Sequence, residues 1–409
     1  MSIRIPVGDF RIDEDEKNAI YEVLNGGRIS EWKKVKEFER DFSDYVGTKY
    51  CLAVSSGTSA LIIGLFALLY DDRFPKVKKG AKIITSPISY VSTVNAIILS
   101  GFEPVFVDID KRTFKLDTKQ IENAIQQFPD DFAGIVPVHL MGYPNDMEEI
   151  NEIAEKYSLF VFEDSAQAHG TTYNGKKAGS LGLLSAFSFY IAHNIQAGEM
   201  GCVTTDDPKL YKLMKQLKSN GRICNCEICT RSKGVCPGAV KYSELGDYDP
   251  RFTFEYISYN FKTTEFTAAL AVSQIKKADM IFQRRQDNVK YLNDNLKKFE
   301  DLLYLPVFDK NVSYLAYPII LRENSKIKRK WIRKELENRG IENRPLFGCL
   351  PTQQPVFQHM KSKYHDFLPV ANYIGENAFY IGCHQYLEKK DLDYVIKVFE
   401  DLMSIIGEI

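Results

Sequence analysis

The sequence predicts an α/β fold with a mostly parallel, covered central sheet and a smaller α/β domain at the carboxyl end. Two observations lead to this prediction. Short apolar runs alternate with longer stretches of helical spacing as far as about residue 205. Beyond that point the pattern changes to long helical stretches with few strand-like runs. We therefore predict a large domain at 1–275, which contains a Cys-rich loop at 224–236, and a small domain at 276–409.

The spacing of apolar residues places the individual elements. Trp32 to Val46 carries its apolar side chains on one helical face. The longest apolar run, Ala60 to Tyr70, is shorter than the roughly 20 residues that span a bilayer, so it predicts a buried helix. Further helices are predicted at Met147–Tyr157, Lys209–Ser219, Thr264 to about Phe299, and Leu392–Ile405. Strands are predicted at Ile83–Ile84, Val105–Val107, Gly134–Val138, Leu159–Phe162, Phe187–Tyr190 and Tyr317–Leu321.

Composition and charge exclude several classes of protein. The 409 residues are 44% hydrophobic and 12% aromatic, which is enough to bury a core. Lys plus Arg (53) nearly equals Asp plus Glu (54), so the chain lacks the basic excess of a nucleic-acid binder. It also has no charged block for a membrane surface and no apolar secretion signal at its start. We expect a cytoplasmic protein with neither nucleic-acid nor membrane partners.

Two polar features lie where parallel sheets bind ligands. Asp164 ends an apolar run, and the carboxyl ends of parallel strands border a ligand crevice. Ser56-Gly57-Thr58-Ser59 precedes an apolar helical pattern, and the first N–H groups of a helix can hold a phosphate. Each feature has an ordinary structural alternative, because both residue types also cap helices.

Four of the eight cysteines lie close together, at Cys224, Cys226, Cys229 and Cys236. In a reducing compartment such a cluster indicates metal ligation rather than disulfides. Four thiolates can hold an iron–sulfur cluster or a tetrahedral zinc ion, and the spacing alone does not choose between them. Free surface thiols are the third alternative.

Several segments in one order resemble the nucleotide-sugar aminotransferase family (DegT/DnrJ/EryC1/StrS). They are SSGTSAL, SPISYVSTVNAI, VPVHLMGYPNDM, FEDSAQAHG, SFYIAHNIQAGEMG and YNFKTTEFTAAL. The resemblance runs from about Ile5 to the carboxyl end. It implies the aspartate-aminotransferase (type I) fold and dependence on pyridoxal phosphate or its amine form.

The resemblance also implies which residues contact the cofactor. Asp164 would pair with the pyridine nitrogen, because a nearby anion keeps that nitrogen protonated. Gln167 would lie beside the ring hydroxyl, and Tyr90 would stack on the ring. The residues that would hold the cofactor phosphate are Gly57, Thr58 and Ser188 of the same chain and Asn260 of a neighbouring chain. The implied assembly is a homodimer with a shared active site.

The sequence departs from the family at one informative position. Family aminotransferases carry, after the strand that ends in SFY, a lysine that binds the cofactor aldehyde covalently; this chain carries His193 there. An imidazole cannot form that bond, but it can accept and return a proton near neutral pH. A histidine here resembles the nucleotide-sugar 3-dehydratases, which use pyridoxamine phosphate to remove the C3 hydroxyl of a 4-keto-6-deoxy sugar. We therefore predict His193 and Asp164 as catalytic residues.

That subgroup has two branches, one without a metal and one with a two-iron two-sulfur cluster that a reductase supplies with electrons. Cys224 lies 31 positions after His193, as in the iron–sulfur branch that acts on CDP-4-keto-6-deoxyglucose. In that branch, one ligand of the iron–sulfur cluster comes from beside the strand that carries the cofactor-binding aspartate. This chain has Ala166 at that position. Cys229 would supply the missing thiolate. The alternatives are a metal-free 3-dehydratase with a structural zinc loop and no reductase, and a cofactor-binding protein without catalysis.

Overall fold

The computed structural model of the chain describes residues 3–224, 226 and 252–407. The helices in the first part of the chain are α1 (Glu14–Gly26), α2 (Lys33–Val46), α3 (Gly57–Leu69), α4 (Ser92–Leu99), α5 (Thr118–Gln127), α6 (Met147–Tyr157) and α7 (Pro208–Leu217). The later helices are α8 (Glu265–Lys276), α9 (Ala278–Leu296), α10 (Arg329–Asn338), α11 (Leu350–Gln353), α12 (Lys361–Tyr364), α13 (Pro369–Asn377) and α14 (Lys389–Gly407).

The strands form a large sheet, a small sheet and a hairpin. The strands of the large sheet are β1 (Tyr50–Val54), β2 (Lys82–Thr85), β3 (Glu103–Phe106), β4 (Phe132–Val136), β5 (Phe160–Asp164), β8 (Leu184–Ser188) and β9 (Gly201–Thr205). The hairpin is β6 (Thr172–Tyr173) with β7 (Lys176–Lys177). The small sheet contains β10 (Leu303–Tyr304), β11 (Tyr317–Leu321), β12 (Asn343–Pro345) and β13 (Ala378–Ile381).

The large sheet is mostly parallel, as the alternation of strands and helices predicts. Its seven strands lie in the order β1-β9-β8-β5-β4-β2-β3, and β9 runs antiparallel to both of its neighbours. All residues of β4, β5, β8 and β9 are buried, which explains their continuous apolar character. Because the parallel strands share one direction, Asp164 and Ser188 end at the same edge of the sheet.

Several predicted elements are confirmed. Met147–Tyr157 and Tyr317–Leu321 match residue for residue, and α2 starts one residue later than predicted. The predicted helical region from Thr264 to Phe299 is two helices that meet at Lys277. The strand predicted at Phe187–Tyr190 has the wrong bounds, because β8 spans Leu184–Ser188. The reversed strand β9 was not predicted.

The domain boundary near residue 275 stays a prediction. The small four-stranded sheet, in the order β10-β11-β13-β12, lies wholly after that position. The first residues of the chain reach it as well: Ile5 pairs with Ile341, and the Val7 N–H donates to Glu342 Oε2 at 2.8 Å. In the described part of the chain, no helix is long and apolar enough to cross a membrane.

Close packing between α3 and the sheet generates a stability prediction. A Cβ atom at Gly64 would lie 2.4 Å from Cε1 of Phe162 in β5, so the helix approaches the ring too closely for a side chain. We expect Gly64→Ala to lose about 1–2 kcal/mol of unfolding free energy, because the cost of overpacking outweighs the gain in helix propensity. Gly8→Ala is the control, since a Cβ there meets nothing within 4 Å. Urea unfolding that shows Gly64→Ala as stable as the control would contradict this packing.

Candidate active site

A cavity of about 430 Å³ lies at the carboxyl edge of the large sheet. Its walls come from the start of α3, the ends of β5 and β8, the loop after β8, and parts of the carboxyl-terminal half of the chain. The residues predicted from the sequence that line it are Gly57, Thr58, Tyr90, Asp164, Gln167, Ser188 and His193. Residues far apart in the chain therefore meet in one cavity as the motif order predicts.

The start of α3 and the end of β8 form one corner of the cavity. The Ser56 hydroxyl accepts from the Ser59 N–H at 3.1 Å, and the Ser59 hydroxyl accepts from the Ser56 N–H at 2.8 Å. This capping box fixes the turn that presents Gly57 and Thr58. A Cβ at Gly57 would lie 2.6 Å from Cβ of Ser188, so the absent side chain lets the two segments touch. A helix start beside a serine hydroxyl is suited to an anion such as a phosphate.

Asp164 is a buried carboxylate with two donors. Its Oδ2 accepts from the Thr93 hydroxyl at 2.6 Å, and its Oδ1 accepts from the Ala166 N–H at 3.2 Å. Burial raises the pKa of Asp164, and these hydrogen bonds lower it in partial compensation. A buried carboxylate favours its charged form when a cation lies beside it. The carboxylate is thus placed to pair with a positively charged group in the cavity.

Gln167 and Tyr90 both line the cavity, but Gln167 is buried and Tyr90 is exposed. The Gln167 side chain is buried, and its Oε1 accepts from the Met141 N–H at 2.9 Å. That bond orients the amide toward the cavity that Gln167 lines. Tyr90 is 61% exposed at the cavity, and its ring centroid lies 6.3 Å from that of Phe347. Phe347 has a backbone φ of 47°, in the left-handed region that aromatic residues seldom adopt.

His193 lies in the loop after β8 with its ring at the cavity wall. Its Nδ1 is buried and has no hydrogen-bond partner among the described residues. Burial, and second the charge of Arg285, lower the pKa of His193 to about 4. The imidazole is therefore neutral at pH 7 and can accept a proton.

None of the described residues that line the cavity is a lysine. The lining does contain a second basic side chain, Arg344, whose Nη2 donates to Glu342 Oε1 at 2.9 Å. A guanidinium does not form a covalent bond to an aldehyde cofactor as a lysine does. A cofactor in this cavity would have to be held by contacts alone.

Asn260 does not line the cavity of its own chain. It is exposed, and its Oδ1 accepts from the Lys262 N–H at 3.4 Å. The adjacent Phe261 carbonyl accepts from the Ser55 N–H at 2.9 Å, next to the turn that starts α3. Asn260 thus lies near the cavity wall but on its outer surface.

The Cys-rich loop is described only in part. Cys224 is half-buried and Cys226 is exposed, whereas Cys229 and Cys236 lie outside the described residues. Among the residues that the structure describes, no three His, Cys, Asp or Glu side chains form a group that could hold a metal ion. The predicted ligand set is therefore not tested by the geometry.

Sequence reasoning missed several residues of the site. Thr93 holds Asp164, and it lies in the first turn of α4, in the same SPISYVSTVNAI segment as Tyr90. Val7, Phe347 and Tyr380 also line the cavity. They come from segments whose approach to the sheet edge is a property of the tertiary fold, so no local pattern identifies them.

Comparisons with known proteins agree with this geometry. The DegT/DnrJ/EryC1/StrS aminotransferase family matches residues 10–400. The GDP-4-keto-6-deoxy-D-mannose 3-dehydratase of Yersinia pseudotuberculosis is 30% identical over 386 residues, covering 94% of this chain and 95% of that protein. The GDP-perosamine synthase of Caulobacter vibrioides is 30% identical over 404 residues, covering 98% of each.

A solved structure is similar over almost the whole chain. The Escherichia coli GDP-4-keto-6-deoxy-D-mannose-3-dehydratase with bound hydrated PLP has a TM-score of 0.85 and 28% identity, covering 97% of this chain and 100% of that chain. The fold is therefore that of the PLP-dependent aminotransferases. Overall identity is equal for the dehydratase and the synthase, so the residues of the site have to distinguish the two activities.

Proposed function

The chain belongs to the DegT/DnrJ/EryC1/StrS aminotransferase family, and from that premise we propose that it is a nucleotide-sugar 3-dehydratase. It uses pyridoxamine phosphate to remove the C3 hydroxyl of a nucleotide-linked 4-keto-6-deoxy sugar. The observation that carries the proposal is His193 in a cavity whose described lining holds no lysine. The similar dehydratases, one of them with bound PLP, support the same reaction class and cofactor.

The residues of the cavity fit the cofactor. Bound pyridoxamine phosphate would supply an amine for condensation with the sugar ketone and a ring that accepts electrons. The corner formed by Gly57, Thr58 and Ser188 would hold the phosphate, since the helix start offers N–H donors and Gly57 leaves room for close approach. The exposed Tyr90 ring would stack on the cofactor ring, and the Gln167 amide would contact the ring hydroxyl.

Asp164 would keep the ring nitrogen protonated. Its carboxylate is buried, and Thr93 and the Ala166 N–H fix both of its oxygens. In this position the anion favours a cationic partner because neither group is solvated by bulk water. The pairing would make the ring a better electron acceptor.

His193 would act as the base that moves a proton at the 4′ carbon of the cofactor. Its ring is neutral at pH 7, and its buried Nδ1 lacks a hydrogen-bond partner among the described residues. A neutral imidazole can take the proton and return it, whereas a lysine at this position would instead tether the aldehyde form. His193 would therefore account both for the absence of a covalent bond to the cofactor and for dehydration in place of amino transfer.

The sugar substrate would enter where Arg344 and Phe347 line the cavity. The Arg344 guanidinium is partly exposed and is held by Glu342, with 2.9 Å between Nη2 and Oε1. A planar guanidinium suits bidentate contact with phosphate, so Arg344 would bind the phosphates of the nucleotide.

The iron–sulfur cluster is part of the proposal on sequence grounds. Cys224, Cys226, Cys229 and Cys236 would ligate a two-iron two-sulfur cluster, which would carry single electrons from a reductase. Ile223, which directly precedes the first of these cysteines, donates its N–H to the Thr253 carbonyl at 3.1 Å. From there the chain leads to Phe261 beside the α3 turn. Zinc in the same thiolates, with a metal-free reaction and no reductase, is the alternative.

The active site would be shared across a homodimer. Asn260 is exposed and outside its own cavity, and the neighbouring Phe254 and Ile257 side chains are 52% and 87% exposed. Exposed apolar groups beside a polar residue are typical of an interface. Asn260 of each chain would then contact the cofactor phosphate in the other chain.

The role of His193 can be tested by one substitution. We expect His193→Asn to retain pyridoxamine phosphate, because the phosphate and ring contacts come from other residues. It should lose at least about 100-fold in the rate of proton exchange at the 4′ carbon, since general base catalysis is worth that much or more. Exchange is measured by NMR in deuterium oxide, and binding by the absorbance of protein-bound cofactor. His365→Asn, at an exposed histidine, is the control. An undiminished exchange rate in His193→Asn would exclude His193 as the base.

Metal analysis distinguishes the iron–sulfur reaction from the metal-free reaction. We expect protein purified without oxygen to contain about two irons and two sulfides per chain, with visible bands that dithionite bleaches. Cys226→Ala should lose the iron, whereas Cys349→Ala, at a buried cysteine of the carboxyl-terminal part, should retain it. One zinc per chain and no iron would contradict the cluster and favour the metal-free reaction.

Mixed chains test the shared site. We expect His193→Asn and Asn260→Ala to be inactive as separate proteins and to recover activity when they are unfolded and refolded together. In a mixed dimer one site combines an intact His193 of one chain with an intact Asn260 of the other. If Asn260 served its own chain, no site in the mixture would be intact, and activity would stay absent.

A further inference from the structure

The loop at 189–200, which carries His193, is the bend of a hairpin between β8 and β9. Ser188, the last residue of β8, pairs with Gly201, the first residue of β9. Next to this pair, the Phe189 N–H donates to the Met200 carbonyl at 2.8 Å. Because β9 runs antiparallel to β8, both ends of the loop lie at the carboxyl edge of the parallel strands, beside the cavity.

Gly201 lies directly against the turn that starts α3. A Cβ atom at Gly201 would lie 2.2 Å from the carbonyl oxygen of Ser56 and 2.7 Å from the backbone nitrogen of Gly57. Non-bonded atoms approach to about 3.5 Å, so a side chain at this position would displace the turn by roughly 1 Å. Both neighbouring atoms belong to the backbone, so no rotation of a side chain can relieve the contact.

The same turn forms the part of the cavity that suits a phosphate. This phosphate corner consists of Gly57, Thr58 and Ser188. Ser188 belongs both to the corner and to the hairpin, because its Oγ accepts from the Tyr190 N–H at 3.4 Å. Gly201 is the second link, since it pairs with Ser188 on one side and with Val54, at the end of β1, on the other. The backbone of the corner and the backbone of the hairpin are therefore in contact at Gly201.

The far side of the loop is held by the carboxyl-terminal part of the chain. The Asn194 side chain is buried, and its Nδ2 donates to the Ser313 carbonyl at 3.2 Å. Its neighbour His193 has no partner at the buried Nδ1 among the described residues. The orientation of the imidazole thus depends on the backbone of the loop, which is fixed at Asn194 on one side and at Ser188 and Gly201 on the other.

We propose that Gly201 is a positioning residue, which joins the phosphate corner to the loop of His193 so that a bound phosphate also fixes that loop. The inference rests on the proposed function, in which the corner holds the cofactor phosphate and His193 moves a proton at the cofactor. Without a covalent bond to the chain, the cofactor depends on its phosphate contacts for its place beside the imidazole. The reversed strand β9 thereby has a role in the site, because its direction brings Gly201 to this edge of the sheet.

Gly201→Ala in the full chain tests this role through two ligands, pyridoxamine phosphate and pyridoxamine, which lacks the phosphate. We expect equilibrium dialysis to show pyridoxamine phosphate bound at least about 10-fold more weakly, because the displaced turn lengthens hydrogen bonds to a charged group. The affinity for pyridoxamine should change little, since the ring contacts come from other residues. Gly26→Ala in α1 is the matched control, because a Cβ there would lie 3.8 Å from Cζ3 of Trp32, an ordinary contact distance. An equal loss for both ligands, or no loss for either, would overturn the inference.

Amide hydrogen exchange of the parent protein gives a second measurement, which does not require Gly201→Ala to fold. Inorganic phosphate alone should slow the exchange at 55–59 and, through the contact at Gly201, at 189–200 as well. Slowing at 55–59 without slowing at 189–200 would overturn the inference while leaving the phosphate corner and the proposed function intact. No slowing at either segment would overturn the corner and the inference together. Undiminished proton exchange at the cofactor in His193→Asn would overturn the proposed function, whatever inorganic phosphate does.

Discussion

The structure of the site depends on the close approach of α3 to the end of β8. Gly57 has no Cβ, and a Cβ there would lie 2.6 Å from that of Ser188, so a larger residue would force the helix start away from the sheet. With the glycine in place, the first N–H groups of the helix, the Ser188 hydroxyl and the carboxylate of Asp164 share one cavity. The parallel sheet supplies this arrangement, because its strands deliver their carboxyl ends to one edge.

In the function that we propose, one side chain of this site decides the reaction. The helix start that suits a phosphate and the buried carboxylate that suits a ring nitrogen would serve an aminotransferase and a dehydratase alike. A relative named as a dehydratase and one named as a synthase are each 30% identical to this chain. His193 would change the outcome, since an imidazole can move a proton but cannot bind the cofactor covalently. The cofactor would then be held by the helix start, Tyr90 and Asp164.

The sequence was sufficient for the fold class and for most of the cavity, because the motifs lie at strand ends and helix starts, whose places in a parallel sheet are fixed by topology. Residues that approach from elsewhere could not be predicted. Val7 reaches the cavity because the first residues pair with Ile341. The reversed strand β9 was missed as well, since strand direction is set by pairing partners rather than by local composition. The roles of the site residues and the ligands of the Cys-rich loop stay predictions.

The central claim is that no side chain of this protein binds the cofactor covalently, so borohydride trapping is the most direct test. The protein is saturated with pyridoxal phosphate, treated with borohydride, denatured and weighed by mass spectrometry. The account predicts a chain of unmodified mass, with the reduced cofactor released on denaturation. A chain that carries the reduced cofactor on a lysine would contradict it, and mapping of that lysine would show which residue takes the place assigned to His193.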